Sequence, residues 1–172
     1  MAFVRCYIGL GSNLENPAAQ VAKALDELAQ LPKSTLIRVS SLYRSPPMGP
    51  QDQPDYVNAV AAIDTVLSAN VLLQQLLSME QRHGRVRGER RWTARTLDLD
   101  ILLYAQQVIQ SQDLTIPHPG IAERNFVLYP LQEIAPELVI PQLGPLRSLI
   151  AGCDRGDLIK LHDEVSDKSI NY

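Results

Sequence analysis

The chain is poor in the features that most often announce a function. Its 172 residues include two cysteines, Cys6 and Cys153, with no CxxC spacing and no matching histidine cluster. That excludes a zinc ribbon and a disulfide framework and fits free thiols in a reducing compartment. No apolar run approaches the roughly eighteen residues of a membrane span. The start, Met1-Ala-Phe-Val-Arg-Cys-Tyr-Ile8, lacks a basic segment followed by an apolar one, so no signal peptide is expected and the expected location is cytoplasmic. A formal net charge of −3 lacks the basic excess of a general nucleic-acid binder. Gly9-Leu-Gly11 begins like a dinucleotide fingerprint, but the GxGxxG spacing fails at Leu14, and a Walker phosphate loop is missing as well. Internal repeats and low-complexity segments are absent from the sequence.

What is present is ordinary in bulk and pointed in detail. Hydrophobic content of 45% and charged content of 20% suit one globular domain over residues 1–172, with 151–172 reading as a tail, and a monomer is expected. The informative run is Arg95-Thr-Leu-Asp-Leu-Asp-Ile-Leu-Leu-Tyr104. Its period-two alternation predicts a strand. Successive strand side chains point to opposite faces, so Asp98 and Asp100 share one face while Leu97, Leu99 and Ile101 pack on the other. Two carboxylates about 6.6 Å apart repel each other. A counter-charge is therefore expected beside them. Mg2+ is the apt cation, since it takes one or two carboxylates together with waters and substrate phosphates.

A phosphate-binding partner lies just upstream. Arg82, Arg85, Arg87, Arg90, Arg91 and Arg95 place six of the twelve arginines within fourteen residues. Guanidinium is always charged and its planar fork of donors matches phosphate oxygens. Read alone, such a loop is equally a solvated segment pairing with surface acids. Directly before a strand with paired aspartates, it points to a polyphosphate.

The remaining pattern gives the fold. A strand over Val4–Gly9 is expected to stop at Gly9-Leu-Gly11-Ser-Asn13. Asn16-Pro17 reads as N-cap and first-turn proline of a helix through Val21, Leu25, Leu28 and Leu31. Thr35–Tyr43 alternates as a strand, and residues 45–55, with four prolines and a glycine, form a long binding loop or lid. Tyr56–Thr65 is a third strand, and Ser68 caps a helix through Val71, Leu72, Leu76, Met79 and His83. The order strand, helix, strand, strand, helix, strand predicts an α+β class: a ferredoxin-like βαββαβ core, an antiparallel sheet with helices packed on it, plus a C-terminal extension. Beyond it come a hairpin partner near Gln107–Ser111, a Pro117-His-Pro119 turn and a short helix near Asn125–Leu131. His83 and His162 read as surface or capping residues.

Arg91-Trp-Thr-Ala-Arg-Thr-Leu-Asp-Leu-Asp-Ile-Leu102 resembles the signature of the 6-hydroxymethyl-7,8-dihydropterin pyrophosphokinase family. Ile8-Gly-Leu-Gly-Ser-Asn-Leu14, Tyr43-Arg-Ser-Pro-Pro47, residues 49–58, Gly84-Arg-Val-Arg87, Pro117-His118 and Phe126-Val-Leu-Tyr-Pro-Leu131 are similar to it in the same order. The resemblance implies transfer of pyrophosphate from ATP to the hydroxymethyl oxygen of 6-hydroxymethyl-7,8-dihydropterin, with AMP released. It implies two Mg2+ ions on Asp98 and Asp100, and catalytic roles for those two with Arg85 and Arg95. Glu80 (at the ribose), Arg85, Arg91, Trp92, Arg95 and His118 match ATP-binding positions. Ser45, Pro46, Met48, Tyr56, Asn58 and Phe126 match the pterin site, with Tyr56 and Phe126 as the aromatic pair around the ring. Leu77, Thr93 and Asp113 depart from the pattern and bear on nucleotide affinity. The alternative from another class is a non-catalytic polyanion-binding module built on the arginine loop, its aspartates merely paired with arginines. Ordinary γ-phosphoryl transfer is a second enzymatic alternative, separated by ADP as product.

Overall fold

The computed structural model describes residues 2–14, 16–47, 52–84 and 97–161. Strands β1 (Val4–Ser12), β2 (Ser34–Val39), β3 (Tyr43–Ser45), β4 (Tyr56–Thr65) and β5 (Asp98–Tyr104) are interleaved with helices α1 (Pro17–Ala29), between β1 and β2, and α2 (Ala69–Arg82), between β4 and β5. β4 pairs antiparallel with β1 on one side and with β2 and β3 on the other, and β5 pairs antiparallel with the far side of β1. Taking β2 and β3 as two parts of one edge, this is the expected ferredoxin-like core.

The helices pack because their apolar residues recur at helical steps. Val21, Ala24 and Leu28 of α1 are fully buried, as are Leu72, Leu76 and Met79 of α2. They meet Ile8, Leu10, Ala61, Ile63, Leu99 and Ile101 in one cluster beneath the sheet. Each buried leucine there contributes roughly 1.5–3 kcal/mol. Ser68 caps α2 as expected, its side chain accepting from the Val71 amide at 3.3 Å. Asn16 does not cap α1 in that way: it holds the N-cap position in a left-handed conformation (φ 60°) and makes no side-chain cap bond.

Two strand boundaries differ from expectation. β1 runs on through Gly9 and Gly11 to Ser12, because the glycines fall at alternate positions and keep the ladder. The expected strand 35–43 breaks at Ser40, which holds to β4 through both its amide and its hydroxyl: Ser40 N donates to Val60 O, and Val60 N donates to Ser40 Oγ, each at 2.9 Å.

After β5 come β6 (Ile109–Gln110), β7 (Thr115–Ile116), α3 (Asn125–Ile134), β8 (Val139–Ile140), β9 (Gly144–Pro145), α4 (Leu146–Ala151) and β10 (Ile159–Lys160). β6 pairs with β7 and β8 with β9. α3 covers the second face of the sheet, where Val127, Leu128 and Leu131 pack on Tyr7, Val60, Ala62 and Leu102. Because β4 is covered on both faces, Val57 through Ile63 are buried without polar alternation. The segment read as a tail contributes structure as far as it is described. β10 pairs with Tyr43 and Arg44 of β3, and Leu158 is buried. No helix among the described residues is long and apolar enough to cross a membrane.

Candidate active site

Among the described residues, α3 leaves one end of the second face uncovered, and the site lies there. Asp98 and Asp100 project onto that face from β5, both half-buried, while Leu97, Leu99 and Ile101 are buried in the core behind them. Their register partners on β1 are Gly11 and Gly9. Partners in a ladder share a face, so the two carboxylates look out beside positions with no side chain. A cavity of about 470 Å3 opens over them, lined by both aspartates and both glycines.

This arrangement fits Mg2+. The donors are hard carboxylate oxygens on one face, and the glycines leave room above the strand. Among the described residues no group of three or more His, Cys, Asp or Glu side chains is placed to enclose an ion. Oxygens of a bound substrate would have to complete the shell, as Mg2+ favours.

His118 faces the pair across the cavity, its Nε2 3.8 Å from Asp100 Oδ1. The Gly120 amide donates to its Nδ1 at 3.0 Å. An amide only donates, so Nδ1 carries no proton and the ring presents Nε2–H toward Asp100. Burial pushes its pKa down to about 4; Arg124 adds to the shift and Asp98 opposes it. Near neutral pH it is therefore an uncharged donor.

The same cavity holds the residues expected for the pterin. Ser45, Pro46, Tyr56, Asn58 and Phe126 all line it. Asn58 is buried, and its Nδ2 donates to Ser45 Oγ at 2.7 Å across β3 and β4. The far end of the proline loop is moored just beyond β1, where Asn13 Nδ2 donates to Pro54 O at 3.1 Å and Gln53 Oε1 at 3.3 Å.

Glu80 is not in that cavity. It is 2% exposed at the end of α2, and its Oε2 accepts from the Leu99 amide at 2.8 Å. Met48, Arg85, Arg91, Trp92 and Arg95 lie outside the described residues. His83 is the C-cap of α2, one of the two roles expected, but it is not at the surface: it is buried, with Nδ1 2.7 Å from Gln20 Oε1 and Nε2 3.1 Å from Glu27 Oε1, tying α2 to α1.

Sequence reasoning missed three contributors. Gly9 and Gly11 had a signal, two glycines spaced by two in a strand, but glycine is also the commonest turn former. Arg124 had none. It lines the cavity with its Cζ 5.8 Å from the Phe126 ring centroid, close enough to bear on His118.

Comparison with known proteins shows the family. Residues 7–136 match the family model described as 7,8-dihydro-6-hydroxymethylpterin-pyrophosphokinase (HPPK). The chain is 50% identical over 159 residues to the 2-amino-4-hydroxy-6-hydroxymethyldihydropteridine pyrophosphokinase of Haemophilus influenzae, covering 92% of this chain and 99% of that one. It is 48% identical over 149 residues to the protein of the same name from Pseudomonas aeruginosa, covering 87% and 91%. Among solved structures it is similar to Plasmodium falciparum HPPK-DHPS wild type with pteroate, with a TM-score of 0.70, 14% identity, and coverage of 87% of this chain and 42% of that one. An HPPK-DHPS in complex with substrates gives a TM-score of 0.67 at 12% identity, covering 88% and 43%. The chain thus spans about two fifths of those longer chains, and at such identities the likeness concerns the fold.

Proposed function

The chain belongs to the 7,8-dihydro-6-hydroxymethylpterin-pyrophosphokinase family, and from that membership we propose that the cavity over β5 brings ATP and the pterin together. The protein is an ATP-dependent pyrophosphokinase of folate biosynthesis: pyrophosphate passes from ATP to the hydroxymethyl group of 6-hydroxymethyl-7,8-dihydropterin, giving the pterin diphosphate and AMP. Family membership removes the non-catalytic polyanion-binding alternative.

The observation that carries the proposal is the juxtaposition of two functions in one cavity. A paired carboxylate seat, Asp98 and Asp100, opens into the same space as Tyr56, Asn58 and Phe126. Asp98 and Asp100 are the residues to hold two Mg2+ ions, which when bound would offset the charge of the ATP phosphates and of the attacking and leaving oxygens. Tyr56 and Phe126 stack on the flat ring. Asn58 presents its amide to the ring edge, held by Ser45, with Pro46 and Met48 completing that side. The ring is thereby fixed with its hydroxymethyl arm toward the carboxylates, so that the oxygen attacks the β-phosphorus in line as the bond to the α-phosphate oxygen breaks. His118 offers Nε2–H to a phosphate oxygen as a neutral donor. Arg85 and Arg95 offset charge that develops during transfer, and Arg91 and Trp92 belong to the ATP side. The protein works as a cytoplasmic monomer in this reading.

Phosphorus NMR of a mixture of ATP, Mg2+, the hydroxymethyl pterin and the protein tests the reaction. Equal amounts of AMP and pterin diphosphate are expected, and ADP with a pterin monophosphate would refute pyrophosphoryl transfer.

A further inference from the structure

The Glu80 carboxylate is buried where it touches the strand that carries the aspartates. Among the described residues β5 is an edge of the sheet, paired with β1 on one side. Leu99 is opposite Leu10 in that pairing, and its amide donates to Glu80 Oε2 at 2.8 Å in a buried bond. That amide belongs to the peptide leaving Asp98, one residue before Asp100. The Leu99 side chain is held too, since it packs in the core cluster with Leu76 and Met79 of α2.

We infer that Glu80 is a positioning residue for the carboxylate pair: it holds the Asp98–Leu99 peptide on the side of β5 away from β1 and so fixes the directions in which Asp98 and Asp100 leave the strand. The inference rests on reading those aspartates as the metal seat. A carboxylate 2% exposed is costly to bury, and it is retained only where hydrogen bonds repay desolvation. Breaking a buried bond of this kind leaves the amide donor unsatisfied away from water. Without the bond the edge peptide is free to tilt, and both carboxylates tilt with it. Metal and phosphate sites lose function for displacements of about 0.5 Å. This role differs from contact with the ATP ribose, because it is exerted before any nucleotide binds.

Binding of Mn2+ together with inorganic tripolyphosphate, followed by electron paramagnetic resonance, separates the two roles, since tripolyphosphate has no ribose. Glu80→Gln keeps an oxygen acceptor at the same reach without the charge, whereas Glu80→Asp keeps the charge and falls one methylene short. The expected result is wild-type Mn2+ affinity in Glu80→Gln and a loss of about tenfold in Glu80→Asp, the scale of one buried hydrogen bond. The Leu99 amide should exchange slowly in the wild type and Glu80→Gln, and fast in Glu80→Asp. Wild-type affinity in Glu80→Asp, a tenfold loss in Glu80→Gln, or fast Leu99 exchange in the wild type each overturns the inference. Asp98→Asn serves as the control: if it binds Mn2+ like the wild type, the metal seat itself is refuted, while its loss beside an unaffected Glu80→Asp refutes the positioning role alone.

Discussion

Gly11 stands directly across the β1–β5 ladder from Asp98, and a Cβ built on it would come 3.1 Å from Asn58 Oδ1. One bare position thus borders both the carboxylate seat and the amide proposed to read the pterin edge. Here glycine is needed for close approach and not for its backbone freedom.

Gly11→Ala is expected to fold and to bind pterin poorly. Crowding of this size costs about 1–3 kcal/mol, a fall in affinity of tenfold or more. Calorimetric titration with the pterin checks it, and wild-type affinity would show that Asn58 can move aside at no cost.

Ser45→Ala removes the acceptor of the buried Asn58 Nδ2. Leaving that donor unpaired should cost about 1–3 kcal/mol, divided between stability and pterin affinity. Ser45→Thr keeps the hydroxyl and should restore most of both. Equal behaviour of the two variants in thermal melts and pterin titration would show that the hydroxyl does not matter.

The other end of β3 is tied to α3 by one carboxylate. Glu133 accepts from Ser41 N at 2.8 Å, Ser41 Oγ at 2.7 Å and Tyr43 OH at 2.5 Å. Burial pushes its pKa up, but the bonds from Ser41 and Tyr43 outweigh it and hold the carboxyl below its ordinary value of 4.5. A depressed carboxyl stabilises the fold fully above 4.5 and loses that contribution as pH falls through its folded value. Glu133→Gln should therefore be less stable at pH 7 by about 1 kcal/mol, a figure kept small by its exposure. The gap should narrow in melts taken below pH 4.5. A gap independent of pH would contradict it.

Much of this was legible in the sequence, for reasons that differ by element. β5 could be read because alternation is a direct imprint of two faces, one in the core and one in the cavity. α1 and α2 could be read because Val21, Leu25 and Leu28, and Leu72, Leu76 and Met79, repeat at helical steps. The pterin-side and carboxylate residues that fall within the described chain do meet in one cavity, with Glu80 set apart beneath the strand. Less legible was whatever depends on a distant partner. Gly9 and Gly11 look like a turn until β4 and β5 flank them. Ser40 breaks a strand pattern by bonding to Val60, and His83 has no local sign of Gln20 or Glu27. β10 is two residues long, and only its pairing with β3 makes it a strand.

The central claim is that Asp98 and Asp100 are the chemical seat while the pterin is held by other residues. Steady-state AMP formation and calorimetric pterin binding, both measured on Asp98→Ala and Asp100→Ala, test it most directly. The expected result is loss of turnover in each variant with only a modest loss of pterin affinity. Full turnover in either one would contradict the account.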